Sequence, residues 1–221
     1  MDSYDVPETR SGYFPILNGN LTIFAVNFFS HMAQHRHFII HKPFGFLSQF
    51  IYEQKRKKRL LGQLFDFPAG TMAIGRLDED SEGLLLLTTD GKVSEYVRSR
   101  KVEKEYYALV DGIITQEAAE ILSKGVEIGF NGQKYMTLPS KVSLLNFPID
   151  YMPRQQKIRD PRHGPMSWVS VTVTEGKFRQ VRKMLAAVGF PVLRLVRVRI
   201  GNQKLDLEAA GVKEVDKFEI D

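Results

Sequence analysis

The 221-residue chain contains no cysteine and only one tryptophan. The missing cysteine excludes a disulfide framework, a thiol nucleophile and a thiolate-bound metal, and it suits a cytoplasmic protein. Long apolar runs are absent too. Nothing approaches the ~18 consecutive apolar residues of a membrane helix, so no membrane partner is expected. The apolar stretch NLTIFAVNFFS, residues 20–30, has neither a basic leading region nor a small-residue cleavage site and makes a poor signal peptide. No repeat or low-complexity tract stands out. What is present, 43% hydrophobic and 11% aromatic residues, fills the core of one large domain or two small ones. Patterned sequence starts near Met32. Residues 1–36 are therefore expected to be an N-terminal extension of unknown role, 37–210 the folded domain and 211–221 an acidic C-terminal tail.

Acidic residues are scarce where basic ones gather. From Arg154 to Lys204 there are twelve Lys or Arg and only Asp160 and Glu175 to oppose them, whereas Leu205 to Asp221 holds six acids and two lysines. Positive charge concentrated in one region is what a polyanion site requires. A solvated basic surface that binds nothing has the same composition, and charge alone leaves both readings open.

Periodicity supplies the elements. HFIIHKP (37–43) reads as a strand closed by Pro43, and KPFGFLSQ (42–49) as a loop in which Gly45 permits close backbone approach. The run Lys55–Arg59 reads as a solvated helix start or an RNA-facing loop, with a localisation signal as the competing reading. LLLLT (84–88) is a buried strand, GKVSEYVRS (91–99) a short helix and KEYYALVDG (104–112) an alternating strand. TQEAAEILSKG (115–125) is a helix with Thr115 as N-cap and Gly125 just past its end. Asn131-Gly132 marks a hairpin turn. SWVSVTVTEG (167–176) and PVLRLVRVRIG (191–201) alternate as strands. Between them GKFRQVRKMLAAVG reads as a helix with Phe178, Val181, Leu185 and Val188 on one stripe. Many strands with few, scattered helices predict an α+β fold built on a mixed, largely antiparallel sheet.

The chemistry centres on MAIGRLDEDSEGLLLLTTDG (72–91), where five acids and one arginine flank four leucines. In an extended segment Arg76 and Asp78 share a face while Leu77 points to the core, and Glu79, Asp80 and Glu82 continue into a turn at Gly83. The residues alone allow an exposed acidic loop, an Mg²⁺ site of Asp78, Asp80 and Glu82, a glycosidase-like carboxylate pair, or an ionised Asp78 aimed into a cleft. On the later helix Arg182 flanks the apolar stripe, while Arg179 and Lys183 lie further toward solvent. A partly buried guanidinium either finds an anion, with Asp78 a candidate, or snorkels to water. Tyr106 shares a strand face with Lys104; it is either a core or rim aromatic or a stacking platform for an exposed base.

GRLDEDSEGLLLLTTDG, KEYYALVDG and EGKFRQVRKMLAAVGFPVLRLVRVRIG resemble three signature regions of the RsuA-type pseudouridine synthases, and HKPFGFLSQF resembles the family's Asn-Lys-Pro-x-Gly opening. The resemblance runs from about residue 37 to about 207, with His41, Ser81 and Thr89 as mild departures. The stretch PRQQKIRDPRHGPMSWVSVTVTEG and the lack of an N-terminal S4 domain resemble the RluE-like branch, which modifies large-subunit ribosomal RNA. The resemblance implies an active-site cleft, an RNA isomerase that needs no cofactor and no metal, and RNA as partner of a cytoplasmic protein; the oligomeric state is left open, with a monomer favoured. It implies Asp78 as the catalytic aspartate, Tyr106 as the active-site tyrosine, and Arg182 as the basic residue that pairs with Asp78 and lowers its pKa. Lys42, Arg76, Lys104, Lys157, Arg162 and Arg179 are then expected to contact substrate. Glu79 and Glu82 fall outside the Gly-Arg-Leu-Asp match, and their Gln variants are expected to keep most activity. The alternative is an RNA-binding or ribosome-assembly protein of the same fold that does not need catalysis.

Overall fold

The computed structural model describes residues 35–51, 58–99, 102–148, 150–152 and 157–220. In chain order the elements are β1 (His37–Lys42), the two-residue strands β2 (Phe46–Leu47) and β3 (Arg59–Leu60), β4 (Met72–Ile74), β5 (Ser81–Thr88), α1 (Gly91–Ser99), β6 (Lys104–Asp111), α2 (Gln116–Lys124), β7 (Glu127–Phe130), β8 (Gln133–Met136), β9 (Lys141–Leu145), β10 (Met166–Val173), α3 (Gln180–Ala187), β11 (Val192–Ile200), β12 (Gln203–Lys204) and β13 (Val212–Val215). Seven strands run across the sheet in the order β13-β1-β5-β11-β6-β10-β9, with β12 added beside β11 and β4 beside β5. Within this sheet only β5 and β11 pair in parallel. The fold is thus the expected α+β class.

The four consecutive leucines of β5 are apolar without alternation because both faces of this strand are covered. Leu85 and Leu87 pack with Phe38, Ile40 and Leu77, and Leu84 and Leu86 with Ile39, Val97 and Ile220. Farther along, Ala108 and Val110 of β6 and Val169, Val171 and Val173 of β10 form the floor on which α2 lays Ala118 and Leu122 and α3 lays Val181, Met184 and Leu185. Thr115 caps α2 by accepting from the Ala118 N–H, and Asn131 and Gly132 close the β7–β8 hairpin, both at positive φ.

Gly83 lies inside β5 rather than in a turn. Its φ is +104°, and a Cβ there would collide with the backbone of Arg197 on β11. Glycine at this point lets the two parallel strands approach, and with them the loops that carry the acids and the basic residues.

Three expectations change. The segment 211–221 is not a tail: β13 pairs antiparallel with β1, from His37↔Val215 to Ile40↔Val212, and Ile220 is buried. The four residues VKEV of β13 place two exposed charges side by side and do not alternate, so periodicity gave no sign of this edge strand. The basic stretch after Glu175 becomes helical only at Gln180, because Arg179 adopts a left-handed conformation with φ 53° and ψ 32°. Phe178 therefore leaves the apolar stripe and stands two-thirds exposed. Residues 1–34, and Lys55 to Lys57 of the basic run, lie outside the described residues.

Candidate active site

Asp78 opens a turn closed by the Ser81 N–H, which donates to the Asp78 carbonyl at 3.1 Å; aspartate favours this first position of a turn. The preceding residue anchors the loop. Leu77 is buried against the core, and the Ser48 hydroxyl donates to its carbonyl at 2.7 Å while accepting from its N–H at 2.9 Å. On the other side the Gly45 N–H donates to the Glu79 carbonyl at 2.8 Å, and Lys58 reaches both Glu79 carboxylate oxygens at 2.6 and 2.8 Å. The loop after β1 thus cradles residues 77–79, and Asp78 is fixed before any substrate arrives, as electrostatic preorganisation requires.

Arg179 meets this loop from the far end of the sequence. Its left-handed backbone turns the guanidinium onto Asp80, with two parallel hydrogen bonds of 2.9 Å, and leaves Nη1 3.3 Å from Asp78 Oδ2. Burial pushes the Asp80 carboxyl up, but the Arg179 hydrogen bonds and the charges of Arg182 and Arg179 outweigh it and hold the group below the usual carboxylate range. The turn that carries Arg179 is itself braced. Gln180 accepts from the Lys177 N–H at 3.0 Å and donates to Glu175, which accepts from the Tyr135 hydroxyl at 2.7 Å.

A cleft of about 560 Å³ opens between these parts, a size that admits one nucleotide-scale ligand. Arg76 and Asp78 line it from the acidic loop, Lys104 and Tyr106 from β6, Lys177 and Arg179 from the turn before α3, and Arg197 from β11. Tyr106 and Arg197 stand directly opposite each other in the β6–β11 ladder. Lys177 and Arg197 were not singled out by sequence. Arg197 joins the cleft through cross-strand register, which periodicity within one strand does not reveal. Lys177 lies 4.7 Å from the centre of the Tyr135 ring, a contact that depends on the β7–β8 hairpin.

Several expected contacts fall elsewhere. Arg182 is largely buried, as its place beside the stripe predicted, but its hydrogen bonds go to the Asp80 carbonyl at 2.8 Å and the Ser81 hydroxyl at 3.2 Å, and its ion pair is with Asp80 at 3.5 Å. The ion pair of Asp78 is with Arg179 instead, because the left-handed turn swings that residue inward rather than toward solvent. Lys42 is fully buried and spends its ammonium on the carbonyls of Pro43 and Phe46, at 3.1 and 2.7 Å. It braces the loop after β1 and is not free to reach a phosphate. Burial pushes its pKa down to about 7, against the pull of Glu82, Asp80, Asp78 and Glu79. Lys157 and Arg162 both sit on Asp160, at 3.6 and 2.9 Å, outside the cleft lining. Glu82 is no loop acid. It is buried in β5 and holds Arg194 through two hydrogen bonds of 3.1 and 2.9 Å. Glu82 is committed to Arg194 and Asp80 to Arg179, and among the described residues no three metal-binding side chains cluster.

Residues 36–187 match the family model of RNA pseudouridylate synthases, and the chain belongs to that family. It is 41% identical over 170 residues to the ribosomal large subunit pseudouridine synthase E of Xanthomonas axonopodis pv. citri, covering 76% of this chain and 87% of that one. It is 39% identical over 182 residues to the protein of the same name from Vibrio parahaemolyticus, covering 80% and 72%. Among solved structures, a crystal structure of a pseudouridylate synthase superposes with a TM-score of 0.63 at 28% identity, over 82% of this chain and 70% of the other. The human RNA pseudouridylate synthase domain containing 1 shares the fold at 18% identity and a TM-score of 0.52, over 81% and 78% of the two chains.

Proposed function

We propose that the protein isomerises a uridine of large-subunit ribosomal RNA to pseudouridine, with Asp78 as the reacting carboxylate. The observation that carries this reading is the union, in one cleft, of a turn-anchored Asp78 and the Tyr106 ring among lysine and arginine side chains. The relatives named for large-subunit ribosomal RNA favour that substrate, and a ribosomal substrate favours a cytoplasmic location.

The reaction breaks the N1–C1′ bond, turns the base and rejoins it through C5; no group or electron comes from outside, and the proton released from C5 is matched by one taken up at N1. Three routes differ in what the carboxylate does: attack on C1′, addition to C6, or assistance to loss of uracil as a glycal forms. Each needs an ionised carboxylate against a bare nucleotide. The guanidinium of Arg179 stands 3.3 Å from Asp78 and gives its carboxylate a counter-charge. The uridine must leave its stack to reach this depth, and Tyr106 offers a ring face on which the extruded base stacks. Its hydroxyl is also the candidate base for the proton finally lost from C5. Arg76, Arg179 and Lys177 at the cleft are the proposed contacts to the flanking phosphates. Lys157 and Arg162, outside the cleft, are proposed to engage more distant backbone.

The test is pseudouridine mapping of ribosomal RNA from cells lacking the protein, followed by treatment of that RNA with the purified chain. One large-subunit uridine should lack the modification and regain it. RNA with an unchanged pseudouridine pattern, together with tight RNA binding, would favour an assembly role without catalysis.

A further inference from the structure

Tyr106 has a cation on either side. Lys104 precedes it by two residues on the same face of β6, and Arg197 stands opposite it across the ladder. Both line the cleft with Asp78. Both are withdrawn from water: Arg197 is 4% exposed, and burial together with the neighbouring Arg197 charge pulls the Lys104 pKa down. Among the described residues neither makes an ion pair. Arg197 donates from Nε to the Leu84 carbonyl at 2.8 Å, and its Nη2 has no partner. Lys104 donates to the Val102 carbonyl at 2.8 Å, which occupies one of the three hydrogens of an ammonium.

Buried charges are ordinarily paired, and two like charges side by side disfavour each other. The counter-charge is therefore to be sought in what fills the cleft. A phosphate is the poorer candidate, because Arg197 lies too deep for a group that stays on the outer, sugar side of a stacked nucleotide. The base itself comes to lie against Tyr106, between the two cations.

By every route the isomerisation loads negative charge onto that base. When N1–C1′ breaks, the electron pair stays on N1 and spreads to O2 and O4, while C1′ passes to the carboxylate or C2′ loses a proton to give the glycal. When the carboxylate adds to C6 instead, the C5–C6 pair moves to C5 and O4. The charge is discharged once C5 bonds C1′, the C5 proton leaves and N1 gains one. We propose that Lys104, backed by Arg197, forms the cationic wall that holds the negative charge of the uracil ring while the ring is detached and turned. Lys104 is the contacting, catalytic group; Arg197, anchored on the Leu84 carbonyl, positions it and adds its field in a site where water is thin. This assignment rests on uridine isomerisation as the reaction.

The test compares the parent with Lys104→Met, Lys104→Gln and Lys104→Arg. One arm is single-turnover tritium release from C5-labelled uridine at saturating RNA; the other is RNA binding across a salt series. Melting should not fall, since the Met and Gln variants delete a half-buried charge that has no carboxylate partner and that the Arg197 charge disfavours. Both neutral variants should lose about a hundredfold in the saturated rate, the size expected when one donor to a developing oxyanion is removed. Kd and its salt dependence should be unchanged, and Lys104→Arg should recover most of the rate. The proposal is overturned if the neutral variants keep the saturated rate, whether or not they bind more weakly. A loss of about 0.7 from the slope of log K against log salt would then identify Lys104 as a phosphate contact. A parent that releases no tritium overturns uridine isomerisation itself and the proposal with it, and that failure is recognised by its independence of residue 104.

Discussion

Arg179 holds Asp80, at 2.9 Å on both carboxylate oxygens, while standing only 3.3 Å from Asp78. One guanidinium thus serves two carboxylates, and the division between them matters. Asp80 takes the strong bidentate pairing, so Asp78 feels the positive charge while keeping its oxygens available.

Asp80→Asn should disturb that division. The amide keeps one acceptor oxygen but loses the charge and the second acceptor that the parallel pair uses, and Arg179 is free to close on Asp78 and occupy it. Activity should fall by about tenfold or more, with RNA affinity near that of the parent. The loss through the Arg179 pair should be small, about 1 kcal/mol or less, because both of its partners are more than a third exposed and screened; the buried Arg182 also loses its ion pair with Asp80 but keeps the carbonyls of Asp80 and Val192. Its pH dependence has a fixed sign. The folded-state pKa of Asp80 lies below 3.8, so the parent's advantage is full above that value and fades as pH falls through the lowered pKa. Melting temperatures between pH 3 and 7, beside a single-turnover rate, test both parts. Full activity in the Asn variant would mean that Asp80 does not tune Asp78.

Much of this arrangement was legible in the primary structure, and the remainder was hidden for identifiable reasons. Strands β1, β5, β6, β10 and β11 announced themselves by apolar runs or alternation, and α2 by its Thr115 cap and Gly125 stop. The motif resemblance pointed to the stretch around Asp78 and to Tyr106, and both line the cleft. What the local pattern could not carry was long-range pairing. Glu82 looked like one more acid in an exposed loop because its partner, Arg194, lies 112 residues away. Lys42 looked available because the carbonyls that consume it come from the fold of its own loop. Arg179, expected toward solvent, takes the ion pair with Asp78 that was expected of Arg182, because a left-handed residue at the helix start breaks the 3.6-residue periodicity on which their placement was argued.

Glu82 is predicted to be a stability residue rather than a dispensable one. Glu82 and Arg194 are both almost completely buried, and Arg194 also donates to the Met152 carbonyl. Neutralising one member of such a pair leaves a buried charge uncompensated, which costs about 3–5 kcal/mol. At ~2–4 °C per kcal/mol for a chain of this size, Glu82→Gln should melt roughly 10 °C below the parent while retaining its RNA affinity at low temperature. Thermal unfolding followed by near-ultraviolet circular dichroism measures this. An unchanged melting point would show that the pair contributes little.

Lys42 gives a pH signature. Its folded-state pKa is about 7 against 10.5 for a free lysine, so between those values the unfolded chain binds more protons and stability rises with pH. Lys42→Met lacks this contribution. The stability of the parent relative to the variant should increase from pH 7 to pH 10, by up to about 4 kcal/mol over three pH units, and RNA affinity should be the same for both. Denaturant unfolding at several pH values reads the difference. A flat difference, or a large loss of RNA affinity in the variant, would return Lys42 to the substrate contacts.

The central claim, that Asp78 is the reacting carboxylate, is tested most directly by tritium release from C5-labelled uridine in the target RNA, comparing Asp78→Asn with the parent alongside a binding titration. The Asn side chain keeps the size and most of the hydrogen-bonding geometry but removes the charge. Arg179 retains Asp80, so the protein should remain folded. The account predicts RNA affinity within about tenfold of the parent, or ~1.4 kcal/mol, and no detectable release of tritium. Sustained release of tritium by Asp78→Asn would contradict it and move the chemistry to another group in the cleft.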